Sequence, residues 1–359
     1  IMKVCIIGAG AIGGLLGVKL SVNTDAEVTM VARGTHLEAI RRNGGLTLVE
    51  ANGMTSSQAT RAKYVASVEE VERGQDVVIL AIKEHQILPI KDEIIALLNS
   101  RGNASEENPE TSTPPILLTT QNGVPWWFFL RHSACPKPEW RDSQWIEAVD
   151  PDGELLRSIE AKYIVGCVVY PAASITAPGV VTHHEGNRFP IGEIDGARSQ
   201  RVVRLSELLI CAGFKSFVLD NIRNEIWLKV WGSAAFNPLS ALTHATLARM
   251  CRYEPSNRLI REIMQEVAQV GRCVGAGEMR VSIDKRIDGA FAVGEHKTSM
   301  VQDVENGRPT EVEAIAGAIL ELAELTSVPT PSIRAIYASI KLLEQVMQSE
   351  QVAIQPVPT

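Results

Sequence analysis

The sequence has no apolar segment long enough to cross a membrane. None of its hydrophobic runs approaches the roughly 20 residues that a transmembrane helix needs, and the first residues form an apolar strand without a signal-peptide pattern. The formal net charge is -7, so the chain also lacks the basic surface that nucleic-acid binding normally requires. These features predict a soluble, cytoplasmic protein that binds neither membranes nor nucleic acid.

Closely spaced cysteine pairs are also missing. The six cysteines are scattered, and none belongs to a Cys-x-x-Cys motif. His183 and His184 are adjacent in a predicted strand, where consecutive side chains point to opposite faces. We therefore expect neither a metal site nor a disulfide framework, and we interpret the cysteines as core or incidental thiols.

The pattern of hydrophobic residues divides the chain into two parts. Its 359 residues are too many for one ordinary domain. Buried strands alternate with helices up to residue 220, whereas apolar residues three and four apart indicate helices beyond it. We predict an α/β protein with an N-terminal Rossmann-type dinucleotide-binding domain over residues 1–220 and an all-helical C-terminal domain over residues 221–350. The polar segment Ser100–Ser112 predicts a mobile surface loop.

A glycine-rich turn follows the first predicted strand and opens an apolar helix. It consists of Gly8, Ala9, Gly10, Ala11, Ile12 and Gly13. Gly8 allows a tight turn, Gly10 lets the backbone approach a pyrophosphate, and Gly13 lets the helix pack close to the strand. The helix N-terminus then offers free N–H groups to the phosphates. This layout predicts a dinucleotide-binding site.

Arg33 follows the second predicted strand, at the position that reads the adenosine ribose. An acid at this position would bind the free 2′-hydroxyl of NAD. Arginine instead presents planar, permanently charged donors to a 2′-phosphate. Arg33 therefore favours NADP over NAD, whereas we expect Arg41 and Arg42 to lie at a solvated helix end.

Two further polar residues follow predicted parallel strands. Lys83 ends the apolar run that begins at Asp76, and Asn122 follows the run that begins at Ile116. Ligands of open parallel sheets lie outside the carboxyl ends of the strands. For each of the two, the residue type fits a ligand contact and its simpler alternative equally well; the alternative is a surface lysine for Lys83 and an Asn-Gly turn for Asn122.

The first predicted helix of the second domain, residues 221–238, is apolar almost all round, so we expect it to be buried. Polar residues recur along it at intervals of four, at Glu225, Lys229, Ser233 and Asn237. A pair between Glu225 and Lys229 at a wet edge is the simplest alternative, although tryptophans surround the lysine. Desolvation would lower the pKa of Lys229 and make it a better proton donor near neutral pH.

Later patterns place Ser299 in one helix and Glu311 in the first turn of another that opens at Thr310. From the residue types alone, Ser299 is a solvent-exposed hydroxyl. Glu311 is an acid favoured by the helix dipole. Neither residue would be assigned to a site on this basis.

Several motifs nevertheless occur along the chain in a characteristic order. They are Gly8-Ala9-Gly10-Ala11-Ile12-Gly13, Ala81-Ile82-Lys83, Gln121-Asn122-Gly123, Asn221-Ile222-Arg223 through Trp227-Leu228-Lys229, Asn237-Pro238-Leu239, Ser299-Met300-Val301-Gln302-Asp303 and Thr310-Glu311. In this order they resemble the ketopantoate reductase (2-dehydropantoate 2-reductase) family over nearly the whole chain. The resemblance implies NADPH-dependent reduction of the 2-keto acid ketopantoate to pantoate, a step of pantothenate biosynthesis.

The resemblance also implies roles for individual residues. Lys229 matches the proton donor, and Glu311 matches the acid that partners cofactor and substrate. Lys83, Asn122 and Ala172 match cofactor contacts. The positions that match substrate contacts are Asn122, Ser233, Asn237 and Ser299.

Two departures from the family pattern concern the substrate. Ser233 stands where an asparagine is usual, and an aromatic run, Val124–Phe129, either walls the pocket or packs the following helix. The alternatives are a paralogue that reduces another 2-keto acid, a different dehydrogenase of the β-hydroxyacid or opine type, and an NADPH-binding sensor without turnover. Long apolar helices fit a domain core or a homodimer interface equally well.

Overall fold

The computed structural model describes residues 1–100 and 113–355, so the predicted loop Ser100–Ser112 lies, except for Ser100, outside the described residues. The chain forms two compact units. The first comprises Ile1–Gln121 and Glu154–Ile222, and the second comprises Asn122–Gly153 and Arg223–Thr359. The first unit is α/β and the second is helical, which confirms the predicted fold class. Residues 122–153 belong to the second unit, whereas the sequence prediction placed them in the first.

The first unit contains two sheets. Its strands are β1 Lys3–Ile7, β2 Glu27–Val31, β3 Leu46–Val49, β4 Ser56–Ala59, β5 Lys63–Val65, β6 Val77–Leu80, β7 Ile116–Thr119, β8 Ile164–Cys167, β9 Ala172–Ala177, β10 Val180–Glu185 and β11 Ile191–Glu193. The larger sheet has the order β11-β8-β7-β6-β1-β2-β5, and the smaller one has the order β4-β3-β10-β9. All neighbours in the larger sheet are parallel except β11 and β8.

The helices of the first unit are α1 Ala11–Asn23, α2 Gly34–Asn43, α3 Lys91–Asn99, α4 Glu154–Ser158 and α5 Gln200–Cys211. Four consecutive residues of β1, Val4 to Ile7, are buried, as expected for a central parallel strand that is covered on both faces. Ile7 pairs with Val31 of β2 and with Leu80 of β6. Because the three strands are in register, their carboxyl ends meet at one edge of the sheet.

The second unit is built from helices, and the part of it that the structure describes contains no strand. Its helices are α6 Ile222–Thr243, α7 Leu247–Arg252, α8 Glu254–Cys273, α9 Ile283–Val293, α10 Ser299–Glu305, α11 Ala318–Thr326 and α12 Pro331–Glu350. A π-helical turn, Glu313–Gly317, precedes α11. Over residues 1–100 and 113–355, no helix has the length and apolar character of a membrane span.

The aromatic run packs inside the second unit. Trp126, Trp127, Phe128 and Phe129 are each no more than 1% exposed. The Phe128 ring centroid lies 5.8 Å from that of Trp227 on α6. The aromatic run therefore packs against α6 of the same unit, a helix about a hundred residues later in the chain.

Candidate functional site

The glycine turn of the first unit has the close backbone contacts that its sequence predicts. Gly8 has a φ of 102°, and a Cβ on it would lie 2.6 Å from the carbonyl oxygen of Ala81. A Cβ on Gly13 would overlap the carbonyl oxygen of Gly8. Substituting either glycine would therefore force the strand, the turn and α1 apart.

The start of α1 offers room and hydrogen-bond donors for an anion. Its N-cap is Gly10, which has no side-chain cap, and the first turn of α1 carries no acidic residue. A Cβ built on Gly10 would meet no other atom within 4 Å. Free backbone N–H groups, the helix dipole and this open approach fit a dinucleotide pyrophosphate.

The other residues predicted to contact a cofactor in the first unit lie at the ends of strands. Arg33 follows β2 as the N-cap of α2 and is exposed. Lys83 lies after β6 and is partly buried, and Ala172 begins β9. Arg33 and Lys83 follow the carboxyl ends of two strands that flank β1, the strand that runs into the glycine turn.

His36 is a contact of the glycine turn that sequence reasoning missed. Its Nε2 lies 2.8 Å from the carbonyl oxygen of Ala9, and the backbone N–H of Gly179 donates to its Nδ1 over 3.0 Å. Because Nδ1 accepts, the ring proton is on Nε2 and is donated to Ala9. The contact between residues 36 and 179 depends on the fold, so no spacing in the sequence indicates it.

In the second unit, three of the predicted site residues form a hydrogen-bonded chain. The Nζ of Lys229 donates to Oδ1 of Asn122 over 2.6 Å, and Nδ2 of Asn122 donates to Oε2 of Glu311 over 3.0 Å. Lysine can only donate and a carboxylate can only accept, so these partners determine which way the Asn122 amide faces. All three side chains are partly buried.

The polar line on α6 is partly exposed along a helix that is otherwise mostly buried. Glu225, Lys229, Ser233 and Asn237 are all partly exposed, whereas most of the residues between them are buried. Ser233 and Asn237 therefore follow Lys229 along one helix face. Ser299 begins α10 and is exposed.

The backbone around Glu311 differs from the predicted regular helix. The helical residues begin at Val312, directly after Glu311, and a π-helical turn at Glu313–Gly317 leads into α11. The backbone N–H of Val124 donates to the carbonyl oxygen of Ala314 over 2.8 Å. Gly123, with a φ of 88°, permits this approach, since a Cβ there would overlap Ala314. The turn thus lies against the residues that follow Asn122. Turns of this kind are frequent at functional sites.

The paired histidines have separate partners in the first unit. His183 Nδ1 lies 3.0 Å from Glu50, and His184 Nε2 lies 2.7 Å from Ser174 Oγ. Among the described residues there is no group of three or more histidine, cysteine, aspartate or glutamate side chains able to hold a metal ion.

Comparisons with known proteins agree with this architecture. The family model described as ketopantoate reductase PanE/ApbA matches residues 4–125, and the model of its C-terminal part matches residues 221–344. The 2-dehydropantoate 2-reductase of Mesorhizobium japonicum is 43% identical over 95% of this chain and 98% of its own length.

Solved structures show the same fold. A 2-dehydropantoate 2-reductase from Methylococcus capsulatus has a TM-score of 0.72 and 26% identity, and the match covers 96% of this chain and 97% of that one. A D-mandelate dehydrogenase solved with NADH and anilino(oxo)acetate has a TM-score of 0.75 over 97% of this chain and all of its own, with 21% identity, and is alike in fold. On the family models and the 43% identical relative together, this chain belongs to the ketopantoate reductase family.

Proposed function

We propose that the protein reduces 2-dehydropantoate (ketopantoate) to pantoate with NADPH. The observation that carries this proposal is the chain of hydrogen bonds from Lys229 through Asn122 to Glu311. It is supported by the 43% identical relative, which is named for this reaction. The family consists of nicotinamide-dependent reductases, and the choice of NADPH rests on Arg33.

Reduction of a keto group requires a hydride at carbon and a proton at oxygen. A reduced nicotinamide supplies the hydride to C2 of the keto acid. Lys229 is the proposed proton donor, because its ammonium carries only donors and is held in place by the Asn122 amide oxygen. It would first stabilise the negative charge that develops on the carbonyl oxygen and then transfer its proton there.

Glu311 and Asn122 have supporting roles in this proposal. The Glu311 carboxylate accepts from the Asn122 amide nitrogen, which keeps the amide oxygen turned to Lys229. Ser233, Asn237 and Ser299 would bind the substrate carboxylate and hydroxyl groups through their own hydroxyl and amide groups.

Apart from Asn122, the proposed cofactor contacts lie in the first unit. The start of α1 would bind the pyrophosphate, and Lys83 and Ala172 would contact other parts of the cofactor. Arg33 would bind the 2′-phosphate, since its guanidinium is exposed at the start of α2.

A second candidate is a reductase of a different 2-keto acid. It is favoured by Ser233, whose short side chain leaves more room and offers fewer donors than the asparagine usual at this position. The fold shared with a D-mandelate dehydrogenase is compatible with it. The same hydride and proton transfers would operate.

We also propose that the protein resides in the cytoplasm, a location supported by six cysteines that are all free thiols. A homodimer interface is one of the two interpretations of the long apolar helices, and light scattering of the purified protein distinguishes it from a monomer.

The experiment is an assay of NADPH oxidation with ketopantoate and a panel of other 2-keto acids. Lys229→Ala is compared with Lys285→Ala, which removes an exposed lysine on α9. We expect turnover on ketopantoate that is retained by the Lys285 variant and reduced by about a hundredfold or more in the Lys229 variant. Turnover only on another keto acid would favour the second candidate. Binding of NADPH without turnover on any acid would indicate a sensor.

A further inference from the structure

Thr310, directly before Glu311, and Glu313, two residues after it, both form hydrogen bonds with residues of α12. The backbone N–H and the hydroxyl of Thr310 donate to Oε1 of Glu344 over 2.7 and 2.5 Å. On the other side, Glu313 accepts hydrogen bonds of 3.0 Å from the Tyr337 hydroxyl at each of its carboxylate oxygens. Glu311 itself contacts Asn122 instead.

Lys341 forms ion pairs with both Glu313 and Glu344 and so joins the two sets of hydrogen bonds into one cluster. Lys341 Nζ lies 3.0 Å from Glu344 and 2.8 Å from Glu313. Glu344 is only 7% exposed, and a carboxylate at that depth needs a cation and hydrogen-bond donors. Lys341 provides the cation and Thr310 provides the hydrogen-bond donors.

The protonation states support this arrangement at neutral pH. Burial acts to lower the pKa of Lys341, but its hydrogen bonds to Glu313 and Glu344 outweigh burial and raise that pKa above the usual value. Burial, together with the charge of Glu313, raises the pKa of Tyr337 to about 12. The lysine therefore stays charged and the phenol keeps the proton that it donates.

The cluster constrains the short segment that carries Glu311. Thr310 is attached before it and Glu313 after it, and the backbone N–H of Ile315 donates to the carbonyl oxygen of Glu311 over 3.1 Å. That bond spans four residues and is α-helical, and the π-helical turn begins two residues after Glu311, at Glu313. Contacts with α12 add to this bond on both sides of Glu311.

We infer that Glu344, Lys341 and Tyr337 are positioning residues that hold Glu311 against Asn122 by binding Thr310 and Glu313. This inference deepens the proposed function and rests on it for the catalytic consequence. The three side chains act through the backbone on either side of Glu311. Loss of one attachment should therefore loosen Glu311 without removing any group of the Lys229, Asn122 and Glu311 chain.

The first test is hydrogen exchange of the Ile315 amide, which needs no turnover. Thr310→Val and Tyr337→Phe each remove one hydroxyl with little change of shape. We expect exchange about fivefold faster or more, the effect of one lost hydrogen bond. Thr310→Ser, which keeps the hydroxyl, should behave like the wild type. Arg334→Gln is the matched control. Arg334 lies on α12, as Tyr337 does, but its ion pair with Glu324 is exposed. Unchanged exchange in both hydroxyl-deleted variants would overturn the inference.

The second test is a double-mutant cycle on kcat/KM for ketopantoate. Thr310→Val and Tyr337→Phe should each lower it by about fivefold to tenfold when Glu311 is present, and by less than about twofold in a Glu311→Ala background. Equal effects in both backgrounds would show a general structural role and overturn the inference. Absence of turnover in the wild type would instead refute the proposed function, and the exchange measurement would still decide whether α12 holds the segment.

Discussion

The ammonium of Lys229 donates a 2.6 Å hydrogen bond to the amide oxygen of Asn122, a residue 107 positions earlier in the chain. The same amide donates from its nitrogen to Glu311, 189 positions later. A neutral amide thus separates a cation from an anion and is oriented by both. We expect the site to require a neutral side chain at this position.

Asn122→Asp tests this neutrality. The substitution places a second carboxylate beside Glu311, where like charges repel, and removes the N–H that Glu311 accepts. We expect kcat/KM for ketopantoate to fall by about a hundredfold or more, because Glu311 loses its donor and is repelled by the new carboxylate. Steady-state kinetics measures it, and a variant within about twofold of the wild type would contradict the role given to Asn122.

Arg33→Ala tests the cofactor preference. A charge-assisted contact to the 2′-phosphate contributes about 1.5 to 3 kcal/mol. The KM for NADPH should therefore rise by roughly tenfold to a hundredfold, whereas the KM for NADH, which has no such phosphate, should hardly change. Arg42→Ala removes a comparable charge from the last turn of the same helix and is the control. A similar rise for both cofactors would refute phosphate recognition by Arg33.

His36→Leu tests the support of the glycine turn. This substitution removes the contacts to Ala9 and Gly179. Because the turn would bind the pyrophosphate common to both cofactors, we expect the dissociation constants of NADPH and NADH to rise together, by about fivefold to tenfold. Fluorescence titration of the two cofactors distinguishes this pattern from that of Arg33→Ala. Unaltered binding of both would show that the turn does not depend on His36.

His132 makes the second unit sensitive to acid. Burial, with the charge of Arg223, lowers the pKa of His132 to about 4, and its Nε2–H donates to the carbonyl oxygen of Val274 over 3.0 Å. The unfolded chain, with a histidine pKa of about 6.5, binds the proton more readily. The neutral histidine therefore favours the folded state above about pH 6.5, and this advantage is lost as the pH falls towards 4.

Chemical denaturation of the wild type and His132→Asn at several pH values measures this effect. The variant will be less stable at pH 7, because it loses ring contacts with Phe128 and Phe129. The difference in free energy of unfolding between the wild type and the variant should shrink by about 2 kcal/mol from pH 7 to pH 4. A constant difference over that interval would mean that His132 does not titrate in this way.

Some features of this protein could be predicted because they depend on neighbours in the sequence. The strand, glycine turn and helix of residues 3–23, the change to helices after Asn221 and the half-buried polar line on α6 are all local patterns. Lys229 could be singled out because a lysine among tryptophans on an apolar helix is unusual. The predicted roles of Asn122 and Glu311 rest on family resemblance, since the residue types fit a turn equally well at Asn122 and favour a simple helix start at Glu311.

The amino-acid sequence by itself determined the two fold classes, the dinucleotide-binding turn and the position of the lysine, because periodicity and glycine geometry act over a few residues. Only the tertiary structure decided that Asn122 joins Lys229 to Glu311, that residues 122–153 pack with the helices, and that α12 holds the segment around Glu311. Each of these depends on side chains far apart in the chain. Their contact is set by how whole elements pack, for which no local pattern carries a signal.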